Sequence, residues 1–311
     1  MISTIIQSRI RDDRAIKEIL LRTPILTYHK IDSQKEIGIN TLPPKKFQQQ
    51  MRLLFEEGFQ PITFYDLFTK PEMPEKPVII TFDDAYESVY QNAFPVMEMF
   101  NFRAVLFVIT GFMGQWNTWD VNPGGIRFRH LSERQLKTLA EKDWEIGAHT
   151  ITHRGLPYLN RQALWQELYF SRRRLENITR KPVISLAYPF GLCSNRVCRM
   201  AKKSGYQFGC KSIRGNRKSD FRQLSRIPVY RFESLTAFKK KLTLRKLPLI
   251  EKLKLSALSW PANLTPVYQF LFRRQLFLEN NVQENVYFTA GKKKSPINNL
   301  IFHQEDQGNG K

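Results

Sequence analysis

Short apolar runs recur along this chain, and between them lie longer segments whose apolar residues repeat at helical spacing. Pro24 to Ile31 (Pro-Ile-Leu-Thr-Tyr-His-Lys-Ile) reads as a short buried strand that ends near His29. Pro43-Pro44 opens a helical stretch, Phe47 to Glu57, with Phe47, Met51, Leu54 and Phe55 on one face and Gly58 as its stop. Val78 to Phe82 is a second strand, bounded by Pro77 and by the pair Asp83-Asp84, and Tyr86 to Phe100 reads as helix. Ala104 to Thr110, rich in Val, Phe and Ile, is a third strand. Leu131 to Ala140 is a helix with Ser132 as its N-cap, and Trp144 to Ala148 a fourth strand. Arg161 to Glu176 is a helix that turns Leu164, Leu168 and Leu175 inward, followed by a fifth strand, Val183 to Ala187. A short helix at Arg199 to Gly205 precedes a sixth strand, Tyr206 to Cys210, and Arg226 to Tyr230 makes a seventh.

Strands that alternate with helices at this spacing predict an α/β protein with a parallel sheet. In such folds the ligand site collects at the carboxyl ends of the strands. His29, Asp83, Asp84, His149, His153 and Pro189-Phe190-Gly191 all follow predicted strands, so one pocket should gather residues from distant parts of the chain.

The pattern changes after Phe238. Lys239, Lys240, Lys241, Arg245, Lys246, Lys252 and Lys254 are opposed only by Glu251, then come apolar clusters and a polar tail with Lys292-Lys293-Lys294. Leu235 to about Leu278 is expected to be helical, covering the domain or touching a membrane surface, and poor order is expected beyond about Asn280. The whole chain has 49 Lys and Arg against 28 Asp and Glu, a net charge of +21, which favours contact with polyanions such as anionic lipid head groups or acidic glycans. No nucleic-acid partner is expected.

At the other end, Ile6, Ile10, Ile16, Ile19 and Leu20 form an amphipathic stripe, read as an N-terminal helix over residues 1–22. Charges at Arg9, Arg11, Asp12, Asp13, Arg14, Lys17 and Glu18 interrupt any secretory h-region, and no run approaches the ~18–20 apolar residues of a spanning helix. The expectation is a protein in the cytoplasm or held peripherally on the cytoplasmic face of a membrane. Three cysteines, an odd number with no Cys-x-x-Cys, signal neither a disulfide framework nor a structural zinc site.

Asp83 and Asp84 stand where an apolar run ends. Neighbours in a strand point to opposite faces, but at a strand end where the chain bends both can reach one pocket. An isolated Asp pair is equally read as an N-cap for the next helix. His149-Thr-Ile-Thr-His153 shifts that balance, because two imidazoles and a carboxylate can hold a divalent cation while the second carboxylate stays free as a base. His29 alone is read as a satisfied core histidine and gains interest only because its strand end faces the same pocket.

Together these residues resemble the polysaccharide deacetylase family, the NodB-homology group also called carbohydrate esterase family 4. The resemblance runs from about Pro24 to Leu242 through Leu26-Thr-Tyr-His29, Thr81-Phe-Asp-Asp84, Trp144-Glu-Ile-Gly-Ala-His-Thr-Ile-Thr-His153, Ala187-Tyr-Pro-Phe-Gly191 and Leu224-Ser-Arg-Ile227. It implies an irregular (β/α)7 TIM-like barrel over residues 23–242, with a basic C-terminal extension over 243–311. It implies a metal-dependent hydrolase that removes N-acetyl groups from an N-acetylated sugar or polysaccharide. Asp84, His149 and His153 would bind the metal, most commonly Zn2+, and Asp83 would be the base that activates water. The backbone N–H of Phe190 would stabilise the oxyanion, with Tyr188 beside it at the substrate. The family's general-acid histidine is absent from the end of the domain, and His29 stands where a permuted version would place it.

Two departures carry expectations of their own. Ala85 follows the Asp pair where the family usually has Gly, which is tolerable if φ there is negative. The third motif, Ser185-Leu-Ala-Tyr-Pro-Phe-Gly191, lacks the arginine that pairs with the base, and Arg226 on the last strand is the candidate replacement. Tyr86, Trp116, Trp119, Tyr188 and Phe190 are candidates to stack on sugar faces or to pack in the core. Competing readings are a weakened barrel that binds glycan or anionic membrane, and an amidohydrolase for a small C–N substrate. A missing export signal points to a precursor such as a sugar-lipid rather than a secreted polymer.

Overall fold

A computed structural model describes residues 11–34, 36, 38–120, 125–211 and 220–244. Most of the expected C-terminal extension, together with Ile6 and Ile10, lies outside the described residues. Helix α1 (Asp13–Arg22) leads into β1 (Ile25–Tyr28). β2 (Lys30–Ile31) and β3 (Thr41–Leu42) form a small parallel pair of their own. There follow α2 (Pro44–Glu56), β4 (Gln60–Pro61), α3 (Asp66–Thr69) and β5 (Pro77–Phe82). The segment expected as one helix over Tyr86 to Phe100 is a π-helical turn, Val89–Ala93, that runs into α4 (Phe94–Met99). Next come β6 (Val105–Val108), α5 (Glu133–Glu141), β7 (Glu145–Ala148), α6 (Arg161–Thr179) and β8 (Ser185–Ala187). The chain continues with α7 (Asn195–Lys203), β9 (Phe208–Lys211), β10 (Leu224–Ser225), β11 (Ile227–Pro228) and α8 (Leu235–Leu244).

Local chemistry sets the helix ends. Pro44 occupies the first turn of α2, where a missing N–H costs nothing. Ser132 caps α5 in a reciprocal capping box with Gln135. Asn160 caps α6 by accepting from the Ala163 N–H at 2.8 Å. α7 starts earlier than its apolar spacing suggests because the Ser194 side chain accepts from the Val197 N–H. Just before it, Cys193 and Cys198 are joined by a disulfide with Cα atoms 6.5 Å apart, tying the turn after β8 to the first turn of α7. That corrects the reading of the cysteines: the pairing is local, and a count of cysteines carries no sign of it. Cys210 remains free and buried.

All neighbouring strands are parallel, in the order β10-β9-β8-β7-β6-β5-β1-β11, with β4 added at β5. The two ends of that ladder are consecutive pieces of one segment. Leu224–Ser225 pairs with β9 and Ile227–Pro228 pairs with β1, so the circuit closes across Arg226. Counted once, this segment makes the seventh stave of an irregular parallel barrel.

Strand alternation sorts the side chains into two cores. Leu26, Ile80, Phe82, Leu106, Val108 and Leu186 pack outward against helical residues such as Met51, Leu136, Leu164, Leu168 and Leu175. Each such buried side chain contributes roughly 1.5–3 kcal/mol relative to exposure. Ile25, Ile79, Val105, Phe107, Ala187, Phe208 and Cys210 fall in the other core, with Ile16, Ile19 and Leu20 of α1 and Leu67 and Phe68 of α3. The amphipathic stripe of α1 therefore packs on its own domain. Gly147 lets the Phe107 ring through: a Cβ there would meet that ring at 2.6 Å. No described helix is long and apolar enough to cross a membrane.

Candidate active site

Asp83 continues the inward parity of Ile79 and Thr81 on β5, and His149 continues that of Glu145 and Gly147 on β7. Simple alternation would send Asp84 to the outer face. Instead Asp84 has φ 67 and Ala85 φ 53, and this left-handed bend brings the second carboxylate to the same pocket. The condition on which Ala85 would be tolerated without strain, a negative φ, is not met. Nearby, Thr150 has φ 69, His153 φ 54 and Phe190 φ 57. The other described non-glycine residues with positive φ, Asn101, Asp143 and Arg180, lie just past helix ends, where such a turn is routine. At the mouth of the barrel the same conformation is imposed on residues that resist it, at on the order of 1–3 kcal/mol each.

The closing strand brings Arg226 inside the barrel. Its Nη1 donates to Asp83 Oδ1 at 2.6 Å and to Thr81 Oγ1 at 3.2 Å, while Nη2 donates to Asp83 Oδ2 at 2.6 Å. The guanidinium also lies over the Phe107 ring, 5.5 Å from its centroid. Burial pushes the Asp83 carboxyl up, but Arg226 and His149 outweigh it and hold the group below its ordinary value. A bidentate pair fixes both the charge and the orientation of the carboxylate.

Beside this pair, ligand atoms of Asp84, His149 and His153 all lie within 4.8 Å of one another, and all three residues are buried. His149 Nε2 is 3.4 Å and His153 Nε2 3.6 Å from Asp84 Oδ1. Asp84 Oδ1 nonetheless has no hydrogen-bond partner among the described residues. Oxygen and imidazole donors held ~2.0–2.2 Å from a tetrahedral cation stand roughly 3.3–3.6 Å from one another. The spacing, the orphaned oxygen and the N,N,O donor set fit a divalent cation. Burial disfavours a proton on His149, but Asp84 and Asp83 reverse that and the net direction is up. The same negative charge attracts a metal cation, which binds Nε2 by displacing that proton. Burial and the neighbouring His149 hold His153 down to about 3, so its ring is neutral and free to ligate.

The loop between the two histidines is fixed from below. Glu167 on α6 accepts from the N–H groups of Ile151 at 2.8 Å and Thr152 at 3.0 Å, and from the Thr152 hydroxyl. His149 Nδ1 bonds the Ala187 carbonyl at 2.8 Å, which leaves Nε2 toward Asp84. Around His153 stand Trp119, with ring centroids 4.0 Å apart, and Phe190 at 4.7 Å.

The remaining candidates divide. His29, half-buried after β1, is pushed down by burial and pulled partly back by Asp83 and Asp84, which places it in the field of the same carboxylates. Tyr188 is buried and its hydroxyl donates to the Arg222 carbonyl at 2.9 Å, so the side chain is committed to packing rather than to a ligand. Tyr86 and Trp119 are likewise buried, whereas Trp116 is exposed. Glu167 and His130 were not singled out in the sequence. Glu167 follows the second histidine on the next predicted helix, where it reads as one more polar helix residue.

Residues 70–209 match the model of a family described as polysaccharide deacetylase. The chain is 31% identical over 203 residues to YxkH of Bacillus subtilis (strain 168), whose name describes a polysaccharide deacetylase, covering 64% of this chain and 67% of that protein. It is 26% identical over 189 residues to the poly-β-1,6-N-acetyl-D-glucosamine N-deacetylase of Staphylococcus aureus (strain MRSA252), covering 57% of this chain and 63% of the relative. The chain thus spans somewhat under two thirds of the staphylococcal protein. Its fold resembles the crystal structure of a polysaccharide deacetylase from Bacillus cereus, with a TM-score of 0.60 and 26% identity over 71% of this chain and 68% of that one.

Proposed function

We propose, for a chain that belongs to the polysaccharide deacetylase family, that it hydrolyses the acetamide group of an N-acetylated glycan and releases acetate. Residues 23–242 form the catalytic domain in this reading. Asp84, His149 and His153 would hold a divalent cation, with zinc the best match to two imidazoles and a carboxylate. Bound there, such a cation supplies Lewis acidity to a carbonyl oxygen and makes water easier to deprotonate. Everything else falls to the chain's own groups. Asp83 takes the proton from the attacking water, and Arg226 keeps that carboxylate ionised and aimed. The backbone N–H of Phe190 donates to the oxyanion that forms on the acetyl carbon. His29 gives its proton to the amide nitrogen as the C–N bond breaks, with the charges of Asp83 and Asp84 opposing the burial that disfavours its protonated form.

One observation carries the proposal: an ionised, arginine-clamped Asp83 stands directly beside the buried Asp84–His149–His153 cluster at one barrel mouth. The name of the staphylococcal relative makes a β-1,6-linked N-acetylglucosamine oligomer the first substrate to try. With zinc added, acetate release is expected and should stop on chelation. Asp83→Asn should lower the rate roughly 10²–10⁴-fold with zinc content unchanged, whereas Asp84→Asn should lose the zinc as well. Acetate release that survives both chelation and Asp84→Asn would sink the proposal.

A further inference from the structure

His130 lies on the long connection between β6 and α5, behind the metal-binding cluster, and is buried. Its Nε2 faces the indole Nε1 of Trp119 at 3.0 Å, and its Nδ1 faces the backbone carbonyl of Asp84 at 2.7 Å. An indole nitrogen can only donate and a carbonyl can only accept. The neighbours therefore settle the tautomer: Nε2 accepts from Trp119, and Nδ1 carries the proton that it donates to Asp84. Tyr86 stacks on the ring, with centroids 4.9 Å apart and planes 16° from parallel.

Both partners of His130 lead to the cluster. Asp84 stands at φ 67, which a non-glycine residue keeps only where its surroundings hold it. Trp119 lies against the His153 ring, with centroids 4.0 Å apart. Metal-binding imidazoles ordinarily hydrogen-bond through the second ring nitrogen, which sets their orientation. His149 does so through the Ala187 carbonyl. His153 does not: its Nδ1 is buried with no hydrogen-bond partner among the described residues. Its ring is held by packing instead, chiefly by Trp119.

We propose that His130 is a positioning residue, an Nδ1-protonated imidazole that braces the Asp84 main chain with one nitrogen and the Trp119 indole with the other, and so sets both Asp84 and His153 for a divalent cation. The proposal rests on the reading of Asp84, His149 and His153 as a metal centre.

The test uses the full chain and three measurements. Long-range 1H–15N spectra of the wild type report the His130 tautomer. Competition against a chromophoric zinc chelator gives zinc affinity, and the visible absorption of the cobalt(II)-loaded protein reports ligand geometry. Melting of the chelator-treated proteins checks folding. The wild type should show His130 protonated at Nδ1. His130→Phe should weaken zinc binding about 10–100-fold, the usual cost of losing an outer-sphere partner. Trp119→Phe, which keeps a ring beside His153 but removes the donor, should weaken it less and still alter the cobalt spectrum. A wild-type His130 protonated at Nε2 overturns the brace. So do Trp119→Phe zinc affinity within twofold of wild type and an unchanged cobalt spectrum, a result that stands even if His130→Phe fails to fold. A wild type that takes up no zinc overturns the metal centre itself, and the brace with it.

Discussion

Two carboxylates are sealed inside the same barrel, one at each end of its strands, and their charge states diverge. Glu145 opens β7, where Ser185 Oγ donates to it at 2.6 Å and the Tyr65 N–H at 3.0 Å. Those partners are neutral, and burial pushes its carboxyl up to about 7. Asp83 ends β5 under the same burial, but two guanidinium contacts of 2.6 Å bring it below its ordinary value. Burial offset only by neutral hydrogen bonds thus leaves a carboxyl that is half-protonated near neutral pH. Asp83 is kept ionised there by a full cation in a fixed geometry. The end of the barrel with that cation is also the end with five left-handed non-glycine residues. The left-handed residues gather at the Asp83 end, whereas the opposite end is packed with α1 and α3.

The comparison breaks most directly at Arg226. Arg226→Met leaves Asp83 buried without its partner, which should cost about 3–5 kcal/mol in chemical denaturation with chelator present. Adding Asp83→Asn to that variant should recover a large part of the loss. If the single variant unfolds at the wild-type denaturant concentration, Arg226 does not sustain the charge on Asp83.

Glu145 tests the other end. Its folded value is raised to about 7 from 4.5, so the folded state binds more protons than the unfolded state between those values. Stability from this group is full below about pH 4.5 and is lost as pH rises through 7, by about 3 kcal/mol in total. Glu145→Gln keeps the shape and removes the titration, so the difference in unfolding free energy between variant and wild type should grow from pH 4.5 to 8. A constant difference across that range would mean Glu145 is ionised throughout.

The smallest effect concerns the bend itself. Ala85→Gly removes a Cβ from φ 53 at a gain of ~1–2 kcal/mol, less ~0.4–1 kcal/mol for the looser unfolded chain, and should leave the protein more stable by up to about 1.6 kcal/mol. A destabilised variant would show that Ala85 is held by packing rather than strained.

Much of this was legible in order along the chain. The seven apolar runs each became a stave, because burial on both faces of a parallel strand leaves a continuous apolar signature. Asp83, Asp84, His149 and His153 were legible as a set because each follows such a run, and strand ends are where the barrel collects its ligands. Arg226 was nameable as a replacement, but only as a residue on the last strand. That its guanidinium meets both oxygens of Asp83 depends on the barrel closing across that very residue. The local disulfide and the positive φ at Ala85 were misjudged or missed, since neither leaves a periodic trace.

Periodicity and residue type thus carried the elements, their order and the chemical inventory, because those depend on neighbours a few positions apart. Which carboxylate is clamped, which imidazole is oriented by a hydrogen bond and which by packing, and how His130 and Glu167 come to support the cluster depend on contacts between segments far apart in sequence. Only closure of the barrel brings those segments together, and the low-dielectric interior it creates is what makes each of these contacts strong.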